Sequence, residues 1–122
     1  MRLSDHFDSS EFDSRDGVRC PPEYARNARK LCLKYLEPLR KVYGPVEVLS
    51  GFRSASHNRS VGGAPQSMHL HIPGRFTAAA DVRCRRGSPA DWYELLDELG
   101  PGGLGRYASF VHVDNRPWRA RW

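Results

Sequence analysis

Long apolar runs are missing from this sequence. No window approaches the roughly 18 apolar residues that a membrane-spanning helix needs, so insertion into a bilayer is not expected. Cysteine is scarce, and Cys20, Cys32 and Cys84 show no CxxC spacing. An odd number of thiols so placed argues against a disulfide framework and against a cysteine-type zinc knuckle, and leaves buried or idle thiols. The opening residues MRLSDHFDSSEF carry no apolar stretch of the kind that forms a signal-peptide core, so synthesis in the cytoplasm is expected. A substrate outside the cytoplasm would then require another factor to release the protein. Internal repeats and low-complexity linkers are also absent, so 122 residues read as a single domain, 1–122. A chain of that size buries a core without metal or disulfide staples, and a metal here would serve chemistry rather than folding.

Acidic residues are outnumbered, 14 against 19 Lys and Arg, and the net charge of +5 favours an anionic partner such as nucleic acid or an acidic cell-wall polymer. The basic residues are spread from Arg2 to Arg121, with only Arg83, Arg85 and Arg86 tightly grouped, and no RNA-binding or helix-turn-helix signature accompanies them. Nucleic acid is therefore not the expected partner. With 39% hydrophobic and 27% charged residues, the composition is that of a soluble globular protein.

Along the chain, Leu3 to Arg19 predicts a short helix begun by Asp8 or Ser9 and tacked down by Phe7 and Phe12, with His6 at the surface. Pro21 and Pro22 precede Tyr24, Ala28, Leu31, Tyr35, Leu39 and Val42, whose spacing predicts one long helix facing a core. Pro38 should kink it unless the helix ends just before, and Gly44 with Pro45 should stop it. Val46 to Phe52 reads as a strand that delivers Arg53 to a loop. A short helix follows, capped by Ser54 or Ser56 and closed by Gly62 and Gly63, in which His57 and Asn58 fall in the first turn and are expected to cap backbone groups. Pro73-Gly74 predicts a hairpin between His69–Ile72 and Phe76–Val82. Ser88 and Pro89 open a helix that buries Trp92, Leu95, Leu96 and Leu99. Gly100 to Gly105 (GPGGLG) reads as a flexible turn, since the Lys-Ser/Thr pair of a phosphate loop is missing, and it leads into a last strand from Tyr107 to Val113.

Two stretches carry chemistry: SMHLHIPGRFTAAAD (Ser67 to Asp81) and FVHVD (Phe110 to Asp114). His69, Asp81 and His112 form a His/Asp/His set, the donor chemistry of a catalytic Zn2+ with three protein ligands and one open position. The expected hairpin would bring His69 and Asp81 together across twelve positions. His71 lies on the same expected strand face as His69 and is the alternative ligand. Alternation along a strand puts Asp114 on the face of His112, which makes it the nearest carboxylate to shuttle a proton for metal-activated water.

The combination SGFRSASHNRSVGG, SMHL, AAAD, GGLGRY, FVHVD and the terminal RW resembles the zinc D-Ala-D-Ala carboxypeptidase family. Its wider group includes phage endolysins, D-Ala-D-Ala dipeptidases and the metal-binding fold of hedgehog proteins. The resemblance runs from about Phe7 to Trp122. It implies an α+β fold with a small antiparallel sheet packed by helices, zinc on His69, Asp81 and His112, Arg53 on substrate oxygens and the oxyanion, and Ser67 on substrate backbone. It further implies a monomeric zinc metallopeptidase, of carboxypeptidase or endopeptidase type, that hydrolyses bonds involving D-amino acids in peptidoglycan stem or crosslink peptides. Such an enzyme would be phage-encoded and released at lysis or carried on the virion, or would be a cytoplasmic dipeptidase. Relatives place the Asp seven positions after the first His, as in HxxGxAxD, whereas here the interval is lengthened by five. Many also carry an acid three before the last His, where this chain has Ser109. That substitution supports an alternative expectation, a catalytically weak or inactive zinc-binding module of a phage particle.

Overall fold

Alternation of small or β-branched residues with polar ones, from Val46 onward, produces a five-stranded sheet, and the amphipathic segments supply the helices that cover one side of it. The computed structural model describes all 122 residues. Its elements are β1 (Arg2–Ser4), β2 (Phe7–Asp8), a 3-10 turn (Ser9–Phe12), α1 (Pro22–Leu31), a π-helical turn (Cys32–Leu36), α2 (Glu37–Tyr43), β3 (Val46–Ser50), α3 (Ala55–Ser60), β4 (Ala79–Cys84), α4 (Pro89–Leu99), β5 (Gly103–Arg106), β6 (Val111–Asp114) and β7 (Ala120–Arg121). Strands β1 and β2 pair by themselves, and the main sheet runs β3-β4-β6-β5-β7, antiparallel except for the parallel β5–β7 edge. This is the α+β architecture expected, with a small antiparallel sheet packed by helices.

Asp8 caps the 3-10 turn by accepting from Ser10 N–H, while Glu11 accepts from Asp8 N–H, a reciprocal capping box. Phe7 and Phe12 are buried beneath it. The long helix does run from Pro22 to Tyr43, but Pro38 is absorbed without a break. The helix widens to a π turn over Cys32–Leu36, in which Glu37 N–H donates to Cys32 C=O, and Pro38 falls in the first turn of α2, where its missing N–H costs little. Gly44, at φ +80, ends α2 as expected. Val42 faces solvent rather than the core, as does Leu99 at the end of α4. Of the expected α4 stripe, Trp92 and Leu96 are buried and Leu95 is half-buried.

Two expectations are corrected. No strand forms between Ser67 and Ala78, so the hairpin around Pro73-Gly74 does not exist. Both edges of β4 are already occupied, by β3 and by β6, leaving no ladder for a third strand to join. The segment instead folds as successive turns, with Leu70 N–H on Ser67 C=O and Arg75 N–H on Ile72 C=O. Second, GPGGLG is only partly a turn. Gly100, at φ +76, closes α4, but Gly103 to Gly105 belong to β5, and the strand expected from Tyr107 begins at Val111, after a turn in which Tyr107 N–H bonds Phe110 C=O, and is followed by the short β7.

The sheet is buried on its helical side by Ala80, Val82, Leu104, Val111 and Val113, all fully inaccessible. No helix is long and apolar enough to cross a membrane. The three thiols are unpaired, and burial pushes each up to about 12, which disfavours the thiolate.

Candidate metal centre

The face of the sheet opposite the helices carries the polar residues. Register sets Asp81 of β4 beside His112 of β6, which lies beside Gly105 of β5; one step along, Ala79, Asp114 and Gly103 form the next row. A Cβ at Gly103 would collide with the Asp114 carboxylate, and one at Gly105 with the Trp122 indole, so both glycines are required by what stands over them. His69 reaches the same point from the turn segment. That turn is fixed from three sides: Tyr24 donates its hydroxyl to Met68 C=O, Arg53 N–H donates to His69 C=O, and the Arg75 guanidinium donates to the carbonyls of Gln66, Ser67 and Leu70. Arg75 thereby holds the lengthened interval between His69 and Asp81 in place of the expected ladder.

The donor atoms of His69, Asp81 and His112 all lie within 4.8 Å of one another, and all three residues are buried. Asp81 Oδ1 is 3.3 Å from His69 Nε2 and 2.9 Å from His112 Nδ1. The outer nitrogens decide what this means. His69 Nδ1 is 2.6 Å from Gly51 C=O, which only accepts, so Nδ1 carries the proton and Nε2 presents a lone pair. His112 Nε2 is 2.6 Å from Asp114 Oδ2 and donates to it, leaving Nδ1 to face inward. Two imidazole nitrogens and one carboxylate thus converge, each ring oriented from behind by an acceptor, which is how metal-ligating histidines are held. Gly51 can bring its carbonyl there because it has no Cβ: one would stand 2.7 Å from the Phe12 backbone.

Electrostatics agree with a site built for a cation. Burial, the larger effect, lowers His69 and keeps it neutral. At His112 burial also lowers, but the hydrogen bonds to Asp114 and Asp81 outweigh it and the group is raised. Burial raises Asp81, and the adjacent His112 and His69 rings outweigh it and hold the carboxyl well below the usual carboxylate range. A neutral His69 directing a lone pair at an ionised carboxylate is a repulsion that a bound cation relieves, so the residues fit a metal.

Of the other expected residues, Arg53 lies beside the set, with Nη2 3.6 Å from Asp81 Oδ2; Ser50 Oγ and Asn58 Oδ1 accept from its Nε and Nη1. Ser67 lines the same cleft, but its hydroxyl accepts from His69 N–H, so it shapes the turn. His57 sits in the first turn of α3, where its N–H, not its side chain, is capped by Ser54. His71 points elsewhere, to Glu23 at 3.2 Å, and is not part of the set. Asp114 is placed differently from its expected role. It is fully buried behind His112, with Arg116 Nε and Nη2 on its two oxygens at 2.8 and 2.7 Å. A carboxylate so enclosed is placed to orient the imidazole and does not line the open cleft, an arrangement that stands against the expected proton relay. Ser109, at the position of the missing acid, is exposed in the Tyr107–Phe110 turn and does not line the cleft.

The cleft itself measures about 710 Å3. Its rim is aromatic: Tyr107 stacks on Phe110 at 4.5 Å, Trp122 lies 5.1 Å from the His112 ring and donates its indole N–H to Tyr107 OH, and Arg116 sits over Trp118 and Trp122. Sequence reasoning missed Arg75, Arg116, Trp118 and the role of Asn58; the density of Trp and Arg in NRPWRARW was the one available signal.

No curated protein matches the sequence. A family model described as peptidase M15 matches residues 4–114, a span that contains His69, Asp81, His112 and Arg53. With that match over most of its length, and with the residues of the resemblance gathered at one buried point, the chain belongs to the peptidase M15 family.

Proposed function

We propose that the protein is a zinc-dependent peptidase of peptidoglycan, hydrolysing peptide bonds that involve D-amino acids in stem or crosslink peptides. The observation that carries this reading is the convergence of His69 Nε2, His112 Nδ1 and Asp81 Oδ1, with both ring tautomers fixed from outside by Gly51 and Asp114. His69, Asp81 and His112 would hold the zinc, which when bound supplies a Lewis acid and acidifies water to a pKa of about 7. Arg53, a fork of donors tethered to Ser50 and Asn58, binds substrate carbonyl or carboxylate oxygens and stabilises developing negative charge. Tyr107, Phe110 and Trp122 give the peptide an apolar wall and shield the site from bulk water. The net charge of +5 favours approach to an anionic wall. Action at the wall, as a monomer delivered by phage lysis or on a virion, belongs to the same proposal.

One observation favours a second reading, a metal-binding module without hydrolysis: Asp81 is the only carboxylate lining the cleft, so no separate acid stands ready to move a proton. Incubating the protein with purified peptidoglycan and following new amine groups, with and without chelator, tests both. Chelator-sensitive amine release supports the peptidase; stoichiometric zinc with no release supports the module.

A further inference from the structure

A second groove, also about 710 Å3, lies next to the metal cleft, and Arg116 and Trp118 line both. The shared wall is stiff. Arg116 is fixed to Asp114 through two hydrogen bonds and lies over the Trp118 and Trp122 rings, so the two hollows are parts of one surface rather than separate dents. The far side of the groove is formed by Lys30, Leu33 and Lys34, with Phe76 at its edge.

Three features of this groove lack a structural explanation. Lys30 and Lys34 are one helical turn apart and both exposed, a like-charge pairing that disfavours the helix. Neither forms a salt bridge, whereas the other two cations of the groove are already matched, Arg116 by Asp114 and Arg119 by Asp97. No acidic side chain lines the groove at all. Finally, Phe76 is 77% exposed and Trp118 54%, two large apolar side chains left open to water beside those lysines.

We propose that this groove extends the substrate cleft and holds the carboxylates of an acidic peptide that continues out of it, with Lys30 and Lys34 pairing the carboxylates and Phe76 and Trp118 covering the aliphatic parts. The proposal rests on the reading that the metal cleft takes a peptide, and it adds that the enzyme selects substrates with free carboxylates on the far strand of a crosslink over amidated ones. Because Lys30 and Lys34 line the adjoining groove and not the cleft of the metal ligands, they act on binding and not on the bond-breaking step.

The probes are a crosslinked muropeptide dimer with free carboxylates and the same dimer amidated, titrated calorimetrically into chelator-treated protein so that cleavage plays no part. Wild type is expected to bind the free-acid dimer about ten-fold more tightly. The Lys30→Gln/Lys34→Gln variant should lose that ratio while keeping its affinity for the amidated dimer, and Trp118→Ala should weaken both. Equal affinities in wild type, no binding of either dimer, or a ratio unchanged in the double variant would overturn the proposal. With zinc restored, the double variant should show a raised KM on the free-acid dimer and an unaltered kcat. Binding that discriminates without any cleavage would remove the peptidase reading and leave the groove; cleavage without discrimination would do the reverse.

Discussion

The two faces of the main sheet are built from the same three strands and differ in every respect that matters. On the helical side, Ala80, Val82, Leu104, Val111 and Val113 are fully buried, apolar and chemically inert. On the other, Asp81, His112 and Asp114 alternate with them, opposite Gly103 and Gly105. Because side chains on a strand alternate, stability and chemistry are interleaved one residue apart yet face different surroundings. The inner face stabilises through apolar burial. The outer face concentrates two imidazoles and two carboxylates, which cost stability unless each is matched, and every one of them is matched by a neighbour or by the cation they would share.

Substitutions on the two faces should therefore separate cleanly. The largest effect is expected from Asp81→Ala or His112→Ala, which should abolish zinc retention by metal analysis and peptidoglycan cleavage together while the far-UV circular dichroism stays that of the wild type. Chelation of the wild type should do the same, since the core does not include the metal. A coincident loss of fold would break the distinction between the faces. Next, Arg53→Ala should lower kcat by about 10²–10³-fold with zinc still bound, the cost of removing one charged donor from a developing oxyanion.

On the inner face, Leu104→Ala should cost about 2–5 kcal/mol in urea denaturation, with zinc stoichiometry unchanged per folded molecule. Smaller again is Asp114→Asn. Zinc affinity should fall about 10–100-fold in a competition titration, and activity should return at saturating zinc because Asn still accepts from His112. Activity that stays low with the metal site full would restore the proton-relay role.

The smallest effect lies away from the sheet, at Glu37, which accepts from Ser4 Oγ and from His6 N–H and whose other oxygen faces His6 Nδ1. Burial raises its pKa, but those hydrogen bonds outweigh burial and hold it below the ordinary value. A depressed carboxylate gives stability that is present above its unfolded pKa and lost as pH falls through the folded one. Glu37→Gln should thus cost about 1–2 kcal/mol near neutral pH and almost nothing in acid, flattening the acid limb of the stability curve.

Much of this arrangement was legible in residue order. Period-2 alternation in VHVD put His112 and Asp114 on one face, and the Ser88-Pro89 and Pro21-Pro22 starts located the helices. The failures share a cause. A Pro-Gly turn signal is local, but whether its flanks pair depends on whether an edge is free, and β4 has none. Glycines at 100 to 105 read as flexibility, yet two of them are vacancies in a strand shaped by Asp114 and Trp122. Asp114 looked like a base because spacing shows which face a residue takes and not what encloses it there; the enclosing Arg116 comes from beyond the strand.

What the sequence by itself determined was the donor set, the helices and the polarity of each strand face, because these follow from side-chain chemistry and from periods of 3.6 and 2.0 residues. Tertiary structure alone decided that His69 reaches the set from a turn, that Asp114 stands behind His112, and that a basic groove adjoins the cleft. Each of these depends on residues far apart in the chain meeting in space, and no local rule of backbone geometry fixes such meetings.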